Sequence, residues 1–310
     1  ETHFHLGAPS EWDEDEDKIL IREMWSSPLV FRRASKDEVE VDEAKAWWAE
    51  ARRRVKLFRE LGFATGEGDR ILIMGEDRDG KTDDITGIVV PTGAAFNAAN
   101  RISGGAFEAR LLGPLPPTDD EEEEEVLSKN GSSVILRFSL AGGGYADKCR
   151  FLTGGDAGVA IWERVWNEYG DTNSDWLTYD VLLAPHHCSW RSLSYYSYSD
   201  YGEEAPVSEE ARNGLAQTRK GAIVVASSKH IDPNDSDPPS DRAKREYVDI
   251  VGAEDRFICV ADVWDNEDRP LEYEVNWSGT IKKVRAAAAV AAASLGIGAT
   301  AAQARPHGRR

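Results

Sequence analysis

The 310 residues are 41% hydrophobic and include ten tryptophans, which supplies a sizeable core and excludes general disorder. The formal net charge is −19, and thirteen of the acids lie in two runs, 11–17 and 119–125, so the rest of the chain is only mildly acidic. Long-range attraction to a nucleic-acid backbone is not expected from this charge. The three cysteines are widely spaced and give no disulfide framework, and no stretch resembles a secretory signal, which together predict a cytoplasmic protein. No apolar stretch is long enough to span a membrane, so no transmembrane segment is expected.

In chain order, the first third predicts one long helix among short strands. A strand is expected at 18–25. A helix is expected over 42–61, because apolar residues recur there at three- and four-residue spacing, with Asp42 as a cap and Gly62 as a stop. Short strands separated by Gly and Pro follow at 70–74, 85–90 and 109–112. A loop over 114–128 carries the second acidic run.

In the remainder of the chain, strands alternate with helices, which indicates a layered α/β fold. Strands are expected at 133–140, 149–153, 176–184, 222–227, 257–262 and 271–275. Helices are expected at 159–169, 211–220 and 241–251. The tract 189–208 is rich in Ser, Tyr and acids and is typical of a surface loop. The Ala/Gly-rich composition of 281–310 predicts a tail that follows a domain of residues 1–280.

Two segments about thirty residues apart carry the strongest functional signal. Each reads as a buried strand ending on a metal-type ligand: Asp156 after Phe151-Leu-Thr-Gly-Gly, and His186-His187 after Tyr179-Asp-Val-Leu-Leu-Ala-Pro. Ligands at the ends of rigid strands have fixed positions, as a metal site requires. Alternatively, Asp156 caps the helix that begins at Val159, and the histidines are ordinary surface residues.

Together these segments resemble the metallo-β-lactamase fold, in the branch related to the ComEC-type DNA-uptake competence proteins. The matching stretches are Asn130–Val134, Thr153–Ala157 and Asp180–Ser192. The likeness is good over 130–260 and loose over 1–130. It implies an α/β metallo-β-lactamase-like αββα sandwich.

The sequence departs from that family at three places. Thr153-Gly-Gly-Asp156 carries one extra Gly, and Cys188 stands where the family has Gly. The family's main metal motif, H-x-H-x-D-H, is absent, and only His3-Phe4-His5 resembles its start. We therefore expect a domain without the family's N-terminal strands, either a fragment that begins after the motif or a degenerate member.

The resemblance implies a site for two divalent metals, zinc or else manganese, that hold a bridging hydroxide. Asp156 would be the bridging carboxylate and His186 a terminal ligand, while His187 would orient it or contact substrate. With so few ligands, this chain should bind metal weakly. Cys188 could equally be a small buried hydrophobe. Three further residues are candidate contacts to an anionic substrate: Ser189, Ser192 and Lys229. Alternatively, the hydroxyls of the two serines stabilise the turn.

Three functional hypotheses follow. The first is a metal-dependent hydrolase, a phosphodiesterase or nuclease acting on an anionic small molecule or a nucleic acid. The second is a non-catalytic interaction protein that binds a protein partner through the acidic loops or the C-terminal tail. The third is a small-molecule esterase or lactamase, with the aromatic residues of 190–201 lining its pocket.

Overall fold

The computed structural model describes residues 3–31, 42–77, 80–99, 102–103, 105–116, 133–234, 237–267, 271–275 and 281–283. The second acidic run, the stretch 130–132 of the family-like segment, and the predicted tail beyond 283 lie outside these residues. Within them the protein is a mixed α/β structure, so the α/β part of the predicted fold class is confirmed.

The helices are α1 (Asp42–Leu61), α2 (Val159–Tyr169), α3 (Tyr198–Tyr201), α4 (Glu209–Leu215), α5 (Asp241–Val251) and α6 (Val260–Glu267). The strands of the first part are β1 (Phe4–His5), β2 (Ile19–Leu20), β3 (Glu23–Ser26), β4 (Arg70–Met74), β5 (Val89–Val90), β6 (Ala95–Phe96), β7 (Ala98–Ala99), β8 (Ile102–Ser103) and β9 (Phe107–Gly113). The later strands are β10 (Ile135–Gly142), β11 (Tyr145–Thr153), β12 (Tyr179–Leu183), β13 (Thr218–Ala226), β14 (Phe257–Cys259), β15 (Tyr273–Val275) and β16 (Ile281–Lys283).

A seven-stranded sheet with the order β14-β13-β12-β11-β10-β9-β6 forms the centre of the molecule. Strands β6, β9, β10 and β11 pair antiparallel, whereas β11 to β14 are parallel. The carboxyl ends of these four parallel strands consequently meet at one edge of the sheet. In open α/β sheets this edge is where ligand sites form.

Four layers stack on one another. Helices α2, α4 and α5 cover one face of the large sheet and bury Trp162 and Tyr247 against it. The parallel three-stranded sheet β3-β4-β5 covers part of the other face, where Met74 packs near Leu111 and Leu136. Helix α1 packs on the outer face of the small sheet. The order is therefore helix, sheet, sheet, helix.

Several elements agree with the sequence pattern at their predicted bounds. Helices α1, α2 and α5 and strand β4 begin and end at the predicted residues. In α1 the residues that face the small sheet, including Ala51 and Val55, are buried as the apolar spacing predicts. Local periodicity and capping are sufficient for such segments.

Other elements differ from the expectation, because pairing with neighbouring strands overrides local preference. Segment 18–25 is two strands, β2 and β3, and 85–90 begins with a 3-10 helix, Asp83–Ile88. The predicted helix 211–220 was too long, since Thr218 already pairs with Tyr179 of β12.

Near the C-terminus, the expected strand 257–262 ends at Cys259, where α6 begins. Residues Ile281–Lys283, expected in the tail, pair with β15 instead. The tract 189–208 is more than a surface loop, since it includes fully buried Trp190 and Leu193.

Candidate functional site

The two family-like segments lie side by side at the carboxyl edge of the large sheet. Strands β11 and β12 are paired in parallel up to Thr153 and Leu183, and each is followed by a tight loop. The backbone N–H of His186 donates a hydrogen bond to the carbonyl of Gly155 at 2.9 Å. The tertiary structure thus joins the loop that carries Asp156 to the turn that carries the histidines.

Two glycines allow the Asp156 loop to approach so closely. A Cβ on Gly154 would lie 2.5 Å from Cζ2 of Trp162, so only glycine fits there without a shift. Gly155 has a φ of +50°, in the left-handed region that favours glycine. Asp156 follows with its side chain exposed, and no described residue makes a hydrogen bond to its carboxylate.

The alternative role of Asp156 as a helix cap is not observed. The N-cap of α2 is Gly158, and no side chain caps that helix end. An exposed carboxylate at a strand end, with no bond to the described part of the protein, is available to a ligand.

The histidine turn has an uncommon backbone. His186, His187 and Cys188 have φ values of 48°, 57° and 69°, so three consecutive non-glycine residues are left-handed. Each such residue costs roughly 1–2 kcal/mol. Hydrogen bonds from Cys188 N–H to Pro185 O (3.0 Å) and from Ser240 N–H to Cys188 O (2.9 Å) hold the turn. Strain of this kind persists where the surroundings over-determine it and is concentrated at functional sites.

The two imidazoles differ in their surroundings. His187 is exposed, and its Nδ1 donates to the carbonyl of Ser227 at 2.7 Å. This bond selects one tautomer or the protonated ring and directs Nε2 away from the carbonyl, as in histidines that bind metals or transfer protons. His186 is half-buried, and its ring centroid is 6.4 Å from that of His187.

The structure gives the neighbouring thiol and hydroxyls structural contacts. Cys188 is fully buried, and this burial raises the pKa of its thiol well above the ordinary range. Ser189 accepts a hydrogen bond from Arg191 N–H at 3.1 Å, and Ser192 donates to Ala157 O at 3.0 Å. Both hydroxyls belong to fully buried residues, which favours the turn-stabilising alternative over contact with substrate.

Lys229, the remaining candidate substrate contact, lies beside the histidine turn. It lines an open depression of about 420 Å³ together with His187 and the Pro238-Pro239 pair. An ammonium and an imidazole in one depression suit an anionic ligand. No local pattern in the sequence predicts that Pro238 and Pro239 line this depression, because their place follows from the packing of the loop before α5 against the histidine turn.

The predicted ligands do not form a metal centre by themselves. Among the described residues, no group of three or more His, Cys, Asp or Glu side chains could hold a metal ion. Two imidazoles bound to one tetrahedral zinc would have ring centroids about 5 Å apart, closer than the ring centroids of His186 and His187.

The N-terminal H-x-H segment, His3-Phe4-His5, has a local structural contact. His5 is buried, and its Nε2 forms a hydrogen bond with Ala8 O at 2.9 Å.

No protein-family model, curated protein or solved structure matches the chain. In the described ranges, no helix has the length and apolarity needed to cross a membrane. The family resemblance therefore rests on the motif residues alone and stays a prediction.

Proposed function

We propose that the chain is a metallo-β-lactamase-like hydrolase that acts on a phosphodiester or a related anionic substrate, with its site at the carboxyl edge of the large sheet. The observation that carries the proposal is the hydrogen bond between His186 N–H and Gly155 O, which brings the loop of Asp156 against the histidine turn. The helix–sheet–sheet–helix layering supports the αββα sandwich that this family has.

Three residues have distinct roles in this proposal. Lys229 binds an anionic oxygen of the substrate in the depression next to His187. His187, oriented by Ser227 O, presents Nε2 to the attacking water and can accept its proton. Asp156 offers an exposed carboxylate on the neighbouring loop. Zinc or manganese would require ligands beyond these residues, so no catalytic step is derived through a metal.

Hydrolysis of bis(p-nitrophenyl) phosphate, with and without added zinc or manganese, tests the proposal. We expect His187→Gln to lower the rate by about 100-fold or more, the range that removal of an acid–base group produces. Asp156→Asn should lower the rate as well. The matched control is Asp200→Asn, an exposed acid on α3, which should leave the rate unchanged. Equal rates in wild type, Asp156→Asn and His187→Gln would refute the proposed site.

Metal binding is tested separately by titrating the same proteins with zinc or manganese in a calorimeter. We expect weak binding to the wild type, further weakened by Asp156→Asn and unaffected by Asp200→Asn. Binding that is identical in all three proteins would remove Asp156 from the ligand set.

A second candidate function is a non-catalytic interaction protein. The shortage of ligands in the described residues favours it, as does the exposed acidic run, in which Asp13, Asp15, Glu16 and Asp17 face solvent. Such a surface would bind a basic protein segment. For the esterase or lactamase alternative, Trp190 is fully buried and cannot line a pocket, whereas Tyr198 lines a cavity of about 300 Å³ with Arg191. A screen of ester and lactam substrates separates it from the phosphodiesterase.

A further inference from the structure

A row of three arginines crosses the large sheet on the face covered by helices. Arg137 of β10 lies directly opposite Arg110 of β9, and Arg150 of β11 is opposite Ser139, one step along the same face. Directly opposed side chains on neighbouring strands have Cβ atoms about 5 Å apart, and like charges so placed destabilise the sheet. A sheet that retains such a pair has a compensating interaction.

Arg137 lacks that compensation within the described protein. Only 5% of its surface is exposed, and its Nε and Nη1 atoms are enclosed without a hydrogen-bond partner. The adjacent Nε of Arg110 is enclosed and unpartnered too. Burial, together with the charge of Arg150, lowers the pKa of Arg137. A buried guanidinium normally has a carboxylate or another anion beside it, because an uncompensated buried charge is costly.

The nearby carboxylates are already engaged by another arginine. Asp147 accepts hydrogen bonds from Arg150 Nε and Nη2, and Asp175 accepts one from Arg150 Nη1 at 2.8 Å. A third acid on this face, Glu108 of β9, lies opposite Ser139 and is exposed. No described carboxylate makes a hydrogen bond to Arg137, so its guanidinium has no anion bonded directly to it.

The neutral groups around the row do not neutralise it. Arg110 donates from Nη1 to Gly93 O at 2.7 Å, and its guanidinium carbon is 4.0 Å from the ring centroid of Trp176. The ring of Trp176 packs against Tyr169, the last residue of α2, with centroids 5.4 Å apart. These contacts pack the arginines, but they bring no anion into hydrogen-bond contact with Arg137.

We propose that Arg137 and Arg110 bind one small oxyanion, of the phosphate or sulfate class. Two of the three guanidinium nitrogens of Arg137, Nε and Nη1, are enclosed and have no partner, whereas Nη2 is not enclosed in this way. An anion therefore reaches the guanidinium at Nη2. The slight exposure of Arg137 restricts the ligand to a single oxyanion group. A tetrahedral oxyanion accepts from two guanidinium groups at once, which is the interaction that arginine forms best.

This anion site is separate from the candidate hydrolase site. The row lies by the C-terminal residue of α2, whereas Asp156 precedes the N-terminus of that helix. The eleven residues of α2 span about 16 Å. The bound anion would stabilise the fold and link its stability to the oxyanion concentration.

Thermal unfolding in inorganic phosphate, compared with sodium chloride at equal ionic strength, tests the proposal. We expect phosphate to raise the Tm of the wild type progressively with concentration, as ligand linkage requires. Arg137→Met should abolish this phosphate-specific rise. In chloride alone, Arg137→Met should be no less stable than the wild type, because the substitution removes an uncompensated buried charge.

Two control variants separate this site from other effects. Arg245→Met removes an exposed, paired arginine of α5 and should keep the full phosphate shift. Lys229→Met removes the cation of the hydrolase site and should keep the part of the phosphate shift that Arg137→Met abolishes. Any part of the shift that only Lys229→Met removes belongs to the hydrolase site, so failure of either proposal is distinguishable from failure of the other. If Arg137→Met does not fold in either salt, Arg110→Met replaces it, with the same expectation. The proposal is overturned if phosphate shifts the variant as much as the wild type, or if phosphate and chloride act alike on the wild type.

Discussion

Replacement of Gly154 by alanine tests whether close packing of the two strand-end loops holds the candidate site together. A Cβ at this position would lie 2.5 Å from Cζ2 of Trp162 and 3.0 Å from Cγ of Pro185. Both neighbours are buried and cannot turn into solvent. Gly154 is not among the glycines with positive φ, so the strain is steric. Overpacking of this kind costs about 1–3 kcal/mol.

Part of this cost is offset in the unfolded chain. Alanine restricts the unfolded state and thereby stabilises the fold by about 0.4–1 kcal/mol. We therefore expect Gly154→Ala to lower the free energy of unfolding by about 1–2 kcal/mol. Equilibrium urea denaturation followed by tryptophan fluorescence measures this difference.

Gly66→Ala is the matched control for this measurement. Gly66 is exposed and has no positive φ, and no atom lies within 4 Å of its added Cβ. Its effect should stay within about 0.5 kcal/mol, as for most surface substitutions. If Gly154→Ala unfolds at the same urea concentration as Gly66→Ala, the loop is not sterically constrained, and the reasoning about the joined loops is wrong.

Three further predictions concern stability. Ser192→Ala should lower the free energy of unfolding by about 1–2 kcal/mol, because the buried carbonyl of Ala157 loses its hydrogen-bond donor. Ser199→Ala, at an exposed position, should leave this free energy unchanged. Equal urea midpoints for the two variants would contradict the prediction. Glu50→Gln should cost about 3 kcal/mol, because Arg54 is fully buried and would lose its carboxylate; a change below about 1 kcal/mol in urea denaturation would show that the pair is dispensable. Burial raises the pKa of the Cys149 thiol to about 11 in the folded protein, whereas a thiol in the unfolded chain ionises near pH 8.5. Because the unfolded chain loses this proton first as the pH rises, the free energy of unfolding should fall from about pH 8 to pH 10. Urea midpoints that are constant over this range would refute the last prediction.

The amino-acid pattern alone was sufficient for the elements whose structure is locally encoded. Helices α1, α2 and α5 have amphipathic spacing throughout, and their bounds agree with it. The strand-and-helix alternation likewise indicated an α/β protein. The two strand-end segments singled out Asp156 and the histidine pair as candidate ligands of one site, because ligands at the ends of rigid strands have fixed positions; that site stays a prediction.

Tertiary structure decided what depends on residues far apart in the chain. Thr218 belongs to a strand because its hydrogen-bond partner is β12, which no local propensity reports. Ser189 and Ser192 point into the protein, since the chain after the histidine turn folds back over α2. The orientation of His187 depends on the carbonyl of Ser227, forty residues later.

The arginine row shows most clearly what the sequence by itself could not determine. Arg110, Arg137 and Arg150 lie on three separate strands, and each, considered alone, is compatible with an ordinary solvated side chain. The strand register sets them side by side, and tertiary packing buries Arg137 and leaves Arg110 and Arg150 half-buried. Periodicity is a property of neighbouring residues and is visible in the sequence, whereas register and burial follow from the packing of the whole chain.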